Sequence, residues 1–431
     1  MEHFAVAGRP VLHSRSPQIF NAAFRALGKS GRYIRMAPES AAGALDLFRR
    51  LGLAGLNVTT PFKTDIMAGL KSWDEAAGAI GAVNVVLRHE DGLFGANTDH
   101  LGVSGALAVR GIAVRGRRCL VAGAGGAGRA AAFALARGGG EVVVLDIDPG
   151  KSARAARDFG ITAAPSPDWP ARFEGSDVIV AAVPGGGLSL KGCRIRPEQI
   201  LLEADYRRPV LRDEAAARGL RYIPGREWLK HQAVPALGLF LGLNEPAADI
   251  DWEACLESPS PAGRDVVALT GFMGSGKTAV GRELAARLGY DFADTDEWIE
   301  KAEGRSVAEL FETRGEPFFR IREKEALARL TQGRRLVLSC GGGVVLDADN
   351  RSVLAASALT IWIYASLETT FGRIRAEDRP LLRGASPRER AAELFAARRD
   401  DYFLSADLVV DNEGSPARTV ERIHEEIRSS L

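Results

Sequence analysis

Cysteine, methionine and aromatic residues are all scarce: four Cys, four Met and 7% Phe, Trp and Tyr in 431 residues. Cys119, Cys193, Cys255 and Cys340 are scattered, without C-x-x-C spacing. That argues against a metal or disulfide framework and points to reduced thiols in a cytoplasmic protein. Net charge is also nearly absent, because 56 Lys and Arg meet 55 Asp and Glu to leave +1. Such a balance argues against a broad electrostatic footprint for nucleic acid or an anionic membrane. No apolar run approaches the roughly 18 residues of a membrane span. The opening MEHFAVAGRP has no basic stretch followed by an apolar core, so no secretory signal is expected. Low-complexity tracts and internal repeats are missing too. What is present, 46% hydrophobic and 26% charged residues, suits a soluble globular chain of two or three domains.

The chain is organised around Gly271-Phe272-Met273-Gly274-Ser275-Gly276-Lys277-Thr278, which has G-x-x-x-x-G-K-T spacing. An apolar run, Val266 to Leu269, reads as a buried strand before it, and Ala279 to Leu288 reads as a helix after it. That setting is what the motif requires. Gly271, Gly274 and Gly276 let successive backbone N–H groups, including that of Ser275, turn inward around a phosphate at a helix N-terminus. Lys277 is expected to reach the β- and γ-phosphates, and the Thr278 hydroxyl to sit on Mg²⁺. The C-terminal part therefore reads as a nucleoside triphosphate binder.

The first half alternates short strands with amphipathic helices. Phe4 to Ala7, Arg32 to Met36 and Gly55 to Val58 read as strands, and Pro17 to Leu27 and Ala41 to Leu51 as helices, the first capped by Ser16. The pattern predicts an α/β domain with a largely parallel sheet. Polar clusters interrupt it at His13-Ser14-Arg15-Ser16-Pro17, Asn57-Val58-Thr59-Thr60-Pro61-Phe62-Lys63, Gly81-Ala82-Val83-Asn84 and Asn97-Thr98-Asp99. Each alone reads more readily as a cap or turn. Together their hydroxyls, amides, lysine and aspartate suit a small polyhydroxylated anion. Next comes a G-x-G-x-x-G frame, Gly123, Gly125 and Gly128, with Gly126 inside it. It opens the helix Ala127 to Arg137, and the following strand, Glu141 to Leu145, ends at Asp146. A β-α-β unit with an acid about 20 residues on predicts a dinucleotide site.

On these clusters, with Ala181-Ala182-Val183-Pro184, Tyr206 and Gln232, residues 1 to about 245 resemble shikimate dehydrogenase. The resemblance implies hydride transfer between a nicotinamide and the C3 oxygen of dehydroshikimate. It implies Lys63 and Asp99 as the catalytic pair. Ser14 and Ser16 would bind the substrate carboxylate, and Thr59, Asn84, Tyr206 and Gln232 would hold the other sides. NADP-dependent members usually carry Asn-Arg-Thr where this chain has Asp146-Ile147-Asp148. An acid there accepts hydrogen bonds from a free ribose 2′-hydroxyl and repels a 2′-phosphate, which favours NAD over NADP. Lys151 and Arg154 lie close enough in sequence to restore NADP. Gly225-Arg226-Glu227-Trp228 is bulkier than the family pattern before Gln232.

From about 265 to 431 the chain resembles shikimate kinase, on Asp294-Thr295-Asp296, Phe319-Arg320 with Glu323, Gly341-Gly342-Gly343 and Arg379-Pro380-Leu381-Leu382. Arg320 and Glu323, three apart on a helical stretch, share a face. The resemblance implies ATP as phosphoryl donor, with Mg²⁺ held by Thr278 and, through water, Asp294. Asp296 would contact the attacking hydroxyl. Arg320 and Arg398 would clamp the shikimate carboxylate, Glu323 would orient Arg320, and Gly341, Gly342 and Gly343 would let the backbone approach the ring. Arg379 would arrive on a lid, with Arg373 or Arg375 facing the adenine.

The expected organisation is a substrate domain, 1–100, onto which 225–256 packs back, a Rossmann NAD(P) domain, 101–224, a linker, 257–264, and a P-loop kinase domain, 265–431. The resemblances imply a bifunctional enzyme of aromatic amino-acid biosynthesis, acting on 3-dehydroshikimate, shikimate and ATP. Two alternatives stay open for the first half: a quinate/shikimate dehydrogenase, or an inactive binding module. A different small-molecule kinase is the alternative for the second, because fold alone does not set substrate.

Overall fold

The computed structural model describes residues 1–183, 185, 187–244, 250–257, 261–374, 380–382 and 386–430. The chain begins β1 (Glu2–Ala7), α1 (Ser16–Ala26), β2 (Gly31–Met36), α2 (Ala41–Arg50), β3 (Gly55–Val58), β4 (Ser72–Trp73), α3 (Glu75–Ile80), β5 (Val85–His89), β6 (Gly92–Ala96) and α4 (Asp99–Ala108). It continues through β7 (Arg118–Ala122), α5 (Gly126–Arg137), β8 (Glu141–Asp146), α6 (Pro149–Phe159), β9 (Thr162–Pro165), α7 (Trp169–Gly175), β10 (Val178–Ala181), β11 (Ile200–Glu203), α8 (Val210–Ala217), β12 (Arg221–Ile223), α9 (Gly225–Leu241) and α10 (Trp252–Glu257). Then follow β13 (Val266–Thr270), α11 (Lys277–Leu288), β14 (Asp291–Asp294), α12 (Thr295–Glu303), α13 (Val307–Leu330), β15 (Leu336–Ser339), α14 (Ala348–Ser357), β16 (Ala358–Tyr364), α15 (Leu367–Arg373), α16 (Pro387–Ser405), β17 (Leu408–Asp411) and α17 (Pro416–Ser430).

Two compact units are present: residues 1–17, 28–53 and 257–431 form one, and residues 18–27 and 54–256 the other. One cut, at 256/257, falls where the linker 257–264 begins, but residues 1–17 and 28–53 cluster with 257–431. The physical basis is strand pairing within the first unit. There the strands run β14-β15-β13-β16-β17-β2-β1, every neighbour parallel. The C-terminal strand β17 pairs with the N-terminal β2 through Leu408–Arg35 and Val409–Met36. Central strands such as β13 and β16 are buried on both faces and read as apolar runs interrupted only by Thr270 and Thr360, as expected of parallel strands covered on both sides.

The second unit holds a six-stranded parallel sheet of order β12-β11-β10-β7-β8-β9. One face packs Val103, Val121, Ala131, Val144 and Trp228, and the other Leu120, Trp169, Phe173, Ile179 and Leu201. Chain order reverses between β7 and β10, so the loop after β7 opens at the switch point where α/β sheets bind ligands. A smaller group of strands, β3-β5-β6-β4, is antiparallel between β3, β5 and β6. The four cysteines are buried thiols. Among the described residues no helix is long and apolar enough to cross a membrane.

Candidate active sites

In the second unit, Lys63 and Asp99 form an ion pair with Nζ–Oδ2 at 2.5 Å, both side chains largely buried. Asp99 opens α4, and its backbone N–H donates to Asn97 Oδ1 (3.0 Å). Asn84 Nδ2 faces Asp99 Oδ1 (3.1 Å), Thr98 Oγ1 (2.9 Å) and Gln232 Oε1 (3.2 Å). The Asn84 Oδ1 accepts from Thr98 N (2.8 Å), which fixes the amide's orientation. Lys63, Asn84, Asp99 and Gln232 are therefore brought together in one hydrogen-bonded chain. Thr59 stands just after β3 and is half-buried, as is Tyr206 after β11. Trp228 fits because α4 carries glycine opposite it: a Cβ on Gly102 would lie 2.4 Å from the indole. Its Nε1 donates to Asp99 O (2.9 Å), so the bulky departure from the family pattern buttresses the aspartate.

The glycine loop follows β7. A Cβ on Gly128 would sit 1.9 Å from Gly123 O, so only glycine allows this helix to start so close to the turn. Gly125 caps α5. Lys63 Cβ and Cδ lie 3.2 Å from where a Cβ on Gly126 would be, which sets the helix N-terminus beside the ion pair. Asp146 ends β8 and accepts from Ala124 N (2.6 Å) and Asp148 N (2.9 Å). Asp148 in turn caps α6 through Gly150 N (2.9 Å). Ile147 is 87% exposed between them, so the second position of the Asn-Arg-Thr stretch presents an alkyl chain to solvent.

In the first unit, Ser14 and Ser16 are buried and mutually hydrogen-bonded (Oγ–Oγ 3.2 Å). Ser16 is the first residue of α1 rather than its cap, and its N–H donates to Ser14 Oγ (3.3 Å). The phosphate-type loop joins β13 to α11. Lys277 Nζ donates to the carbonyls of Gly271 (2.9 Å) and Phe272 (3.1 Å). Gly276 has φ +91°, and a Cβ there would lie 2.4 Å from Asn412 Nδ2. Asn412 donates to Ser275 O (2.8 Å) and so braces the loop from the end of β17. Thr278 Oγ1 donates to Asp294 Oδ2 (2.9 Å), and Asp294 Oδ1 accepts from Asp296 N (2.9 Å) at the start of α12. A cleft of about 410 Å³ runs over this loop, with Asp294, Asp296, Arg373, Asn412 and Pro416 also on its walls.

A neighbouring cavity of about 90 Å³ is lined by Asp296, Arg320, Glu323, Gly341, Gly342, Gly343 and Arg398, with Phe311 and Phe319 as apolar wall. Asp296, Gly341 and Gly342 belong to both spaces. Arg320 is held by two carboxylates, Glu323 Oε2 (2.7 Å) and Glu316 Oε1 (2.8 Å). Burial alone disfavours the Arg320 charge, but Glu323 and Glu316 outweigh it and raise the pKa. Burial raises the Glu323 carboxyl, against the pull of Arg320 and Arg398. A Cβ on Gly343 would collide with the Arg320 guanidinium, and one on Gly341 with Glu323 and Asp296. Tyr402 Oη donates to Gly342 O (2.7 Å), and Gly341 N to Thr295 Oγ1 (2.8 Å), pinning the triplet. Arg379, with Arg375 and Pro184, lies outside the described residues. Sequence reasoning missed Glu316, Asn412, Pro416 and Tyr402. Glu316 stands four before Arg320, a spacing that could have found it.

A family model described as shikimate dehydrogenase substrate binding domain matches residues 6–86, and one described as shikimate kinase matches 273–428. The chain is 36% identical over 268 residues to the NADP(+) shikimate dehydrogenase of Anaeromyxobacter sp. (strain K), covering 59% of this chain and 95% of the relative. It is 44% identical over 166 residues to the shikimate kinase of Moorella thermoacetica, covering 38% of this chain and 93% of the relative. Among solved structures, shikimate 5-dehydrogenase from Thermus thermophilus in complex with NADP(H) and shikimate superposes with a TM-score of 0.53. It shares 35% identity and covers 60% of this chain and 98% of its own.

Proposed function

We propose, from the premise that this chain belongs to the shikimate dehydrogenase family in its N-terminal part and to the shikimate kinase family in its C-terminal part, that it carries out two successive reactions. It reduces 3-dehydroshikimate to shikimate and then phosphorylates shikimate from ATP. The oxygen that the first reaction converts to a hydroxyl is the nucleophile of the second. The observation that carries the reading is the pairing of Lys63 with Asp99 beside the glycine-loop helix, matched by Asp296 at the junction of a phosphate cleft and a carboxylate pocket. The domain limits stay as read from sequence: 1–100 with 225–256, 101–224, and 265–431 after a linker.

In the dehydrogenase, a bound nicotinamide supplies the hydride. The close Gly123–Gly128 approach and the N-terminus of α5 fit a dinucleotide pyrophosphate. Lys63 delivers a proton to the C3 oxygen as negative charge builds on it, and Asp99 holds the ammonium in line. Asn84, bonded to both Asp99 and Gln232, orients ring hydroxyls together with Gln232, Thr59 and Tyr206, and Ser14 and Ser16 take the carboxylate. For the cofactor, Asp146 and the alkyl chain of Ile147 favour NAD(H) over NADP(H), with Lys151 and Arg154 the nearest cations in sequence.

In the kinase, backbone N–H groups of the Gly271–Thr278 loop and Lys277 hold the phosphates. Thr278 and Asp294 offer a hard oxygen pair that would hold Mg²⁺, whose charge would offset that of the phosphates. Asp296 orients the attacking hydroxyl. Arg320 and Arg398 clamp the substrate carboxylate, and Arg379 serves as the lid cation. The test is nicotinamide absorbance with full-length protein and 3-dehydroshikimate, followed by ATP and Mg²⁺. Oxidation of NADH faster than NADPH, then ADP release matching the shikimate formed, is expected. Faster NADPH oxidation overturns the cofactor preference. No oxidation with either overturns the dehydrogenase reading.

A further inference from the structure

Glu426 lies on α17, the last helix of the kinase part, and is fully buried. Its Oε2 accepts from the backbone N–H of both Val11 and Leu12 at 2.7 Å. Those two residues are also fully buried, so bulk solvent does not reach their N–H groups. Beyond them the chain turns, with Ser14 N donating to Val11 O (2.9 Å), and the turn ends in the Ser14–Ser16 pair. The other side of the turn is held by Arg35 on β2. Its Nε and Nη2 donate to Ser14 O (3.0 and 2.6 Å), while Nη1 reaches Asp407 O (3.4 Å) at the start of β17. Arg9 and Glu425 add an ion pair at the rim (2.7 Å). The serine turn is thus framed by groups from the C-terminal strand and helix, the helix more than 400 residues away in sequence.

We propose that Glu426 is a positioning residue for the dehydrogenase reaction: the kinase part supplies the carboxylate that fixes the turn carrying Ser14 and Ser16. The inference rests on the reading that these serines bind the substrate carboxylate. An unsatisfied pair of buried N–H groups would shift or loosen the turn, because leaving such donors unpaired is costly. Substrate affinity is affected and the chemical step, at Lys63, is not. Glu426→Gln keeps one oxygen acceptor for both N–H groups and should restore the wild-type geometry. Burial pushes the Glu426 carboxyl up to about 7, but Oε2 accepts whether or not the other oxygen is protonated.

The experiment is steady-state oxidation of shikimate without ATP, on full-length Glu426→Ala, Glu426→Asp, Glu426→Gln and Ser14→Ala proteins. Kinase kinetics are measured in parallel. We expect Glu426→Ala to raise the dehydrogenase KM for shikimate at least about fivefold. Its kcat and its KM for the nicotinamide should stay within about twofold, as should kinase KM and kcat. Glu426→Gln should stay within about twofold throughout. If Glu426→Ala fails to fold, Glu426→Asp, whose oxygen is one methylene short, should still raise KM for shikimate. A folded Glu426→Ala or Glu426→Asp with unchanged KM overturns the proposal, as does an equal loss of both activities. If Ser14→Ala leaves KM unchanged, the carboxylate assignment itself fails, whatever Glu426 does.

Discussion

At the scale of single residues, function reduces to charges held in place by other charges. In the proposed reduction Lys63 acts only if its ammonium points at the reacting oxygen, and the 2.5 Å contact with Asp99 limits where that ammonium can point. Replacing Lys63 with Ala should lower dehydrogenase kcat by at least about 100-fold, the usual worth of a positioned acid. Kinase kcat should not change, and parallel assays on one protein sample check both. Arg320 makes the corresponding case in the kinase. Its planar fork meets Glu316 and Glu323 and still presents N–H groups to the cavity. If Arg320 also meets the substrate carboxylate as proposed, Arg320→Lys lacks the planar fork to serve all three carboxylates, so the kinase KM for shikimate should rise about tenfold or more, with the dehydrogenase untouched. The placement of both residues was legible in the sequence, Lys63 beside Asp99 and Arg320 beside Glu323, because each sits inside a short motif whose spacing survives folding. Trp228 and Asn412 were not. Trp228 looked misfitting because its accommodation by Gly102 joins two helices, and Asn412 reaches Ser275 from the far end of the domain.

At the scale of elements, strands and helices were legible where burial is uniform. β13 and α11 were expected nearly as found, because an apolar run and a glycine loop leave few choices. The pairing of β17 with β2 was not legible. An edge strand advertises unpaired groups, but its sequence does not say which chain segment will take them. Helix α17 is in the same position: its amphipathic pattern shows that one face is buried, not that Glu426 on that face meets Val11 and Leu12. A pH dependence follows from that burial. The folded-state pKa of Glu426 is raised to about 7, mainly by desolvation. The folded protein therefore binds more protons than the unfolded chain between the ordinary carboxylate range and that value. The stability it contributes is full at low pH and lost as pH rises through about 7. Glu426→Gln has no such proton to lose. Relative to wild type it should gain about 1–3 kcal/mol of stability between pH 5 and pH 8. Urea unfolding of both proteins at the two pH values measures this, and a constant difference would refute it.

At the scale of the whole molecule, two families share one chain, yet the compact units do not divide where the families do. Residues 1–17 and 28–53 belong by sequence to the dehydrogenase and by packing to the unit that contains the phosphate loop. The link is made of backbone: β17 pairs with β2, and Ala37 N donates to Val409 O (3.0 Å). Arg422 on α17 also reaches Ala37 O (3.3 Å). Backbone pairing of this kind makes segments open together, because separating them orphans a row of buried donors and acceptors. A ligand that binds only the folded form of a cooperative unit stabilises every part of it by the same amount, about 2.7 kcal/mol at 100 times its dissociation constant. Saturating ADP should therefore slow amide exchange in residues 31–36 by about the same factor as in β17. That factor is of order 100-fold at this saturation. Hydrogen exchange read by mass spectrometry on full-length protein, with and without ADP, decides it. If protection by ADP stops at residues 257–431 and leaves β2 unchanged, the N-terminal strands open independently of the kinase, and the cooperative unit ends where the family boundary does.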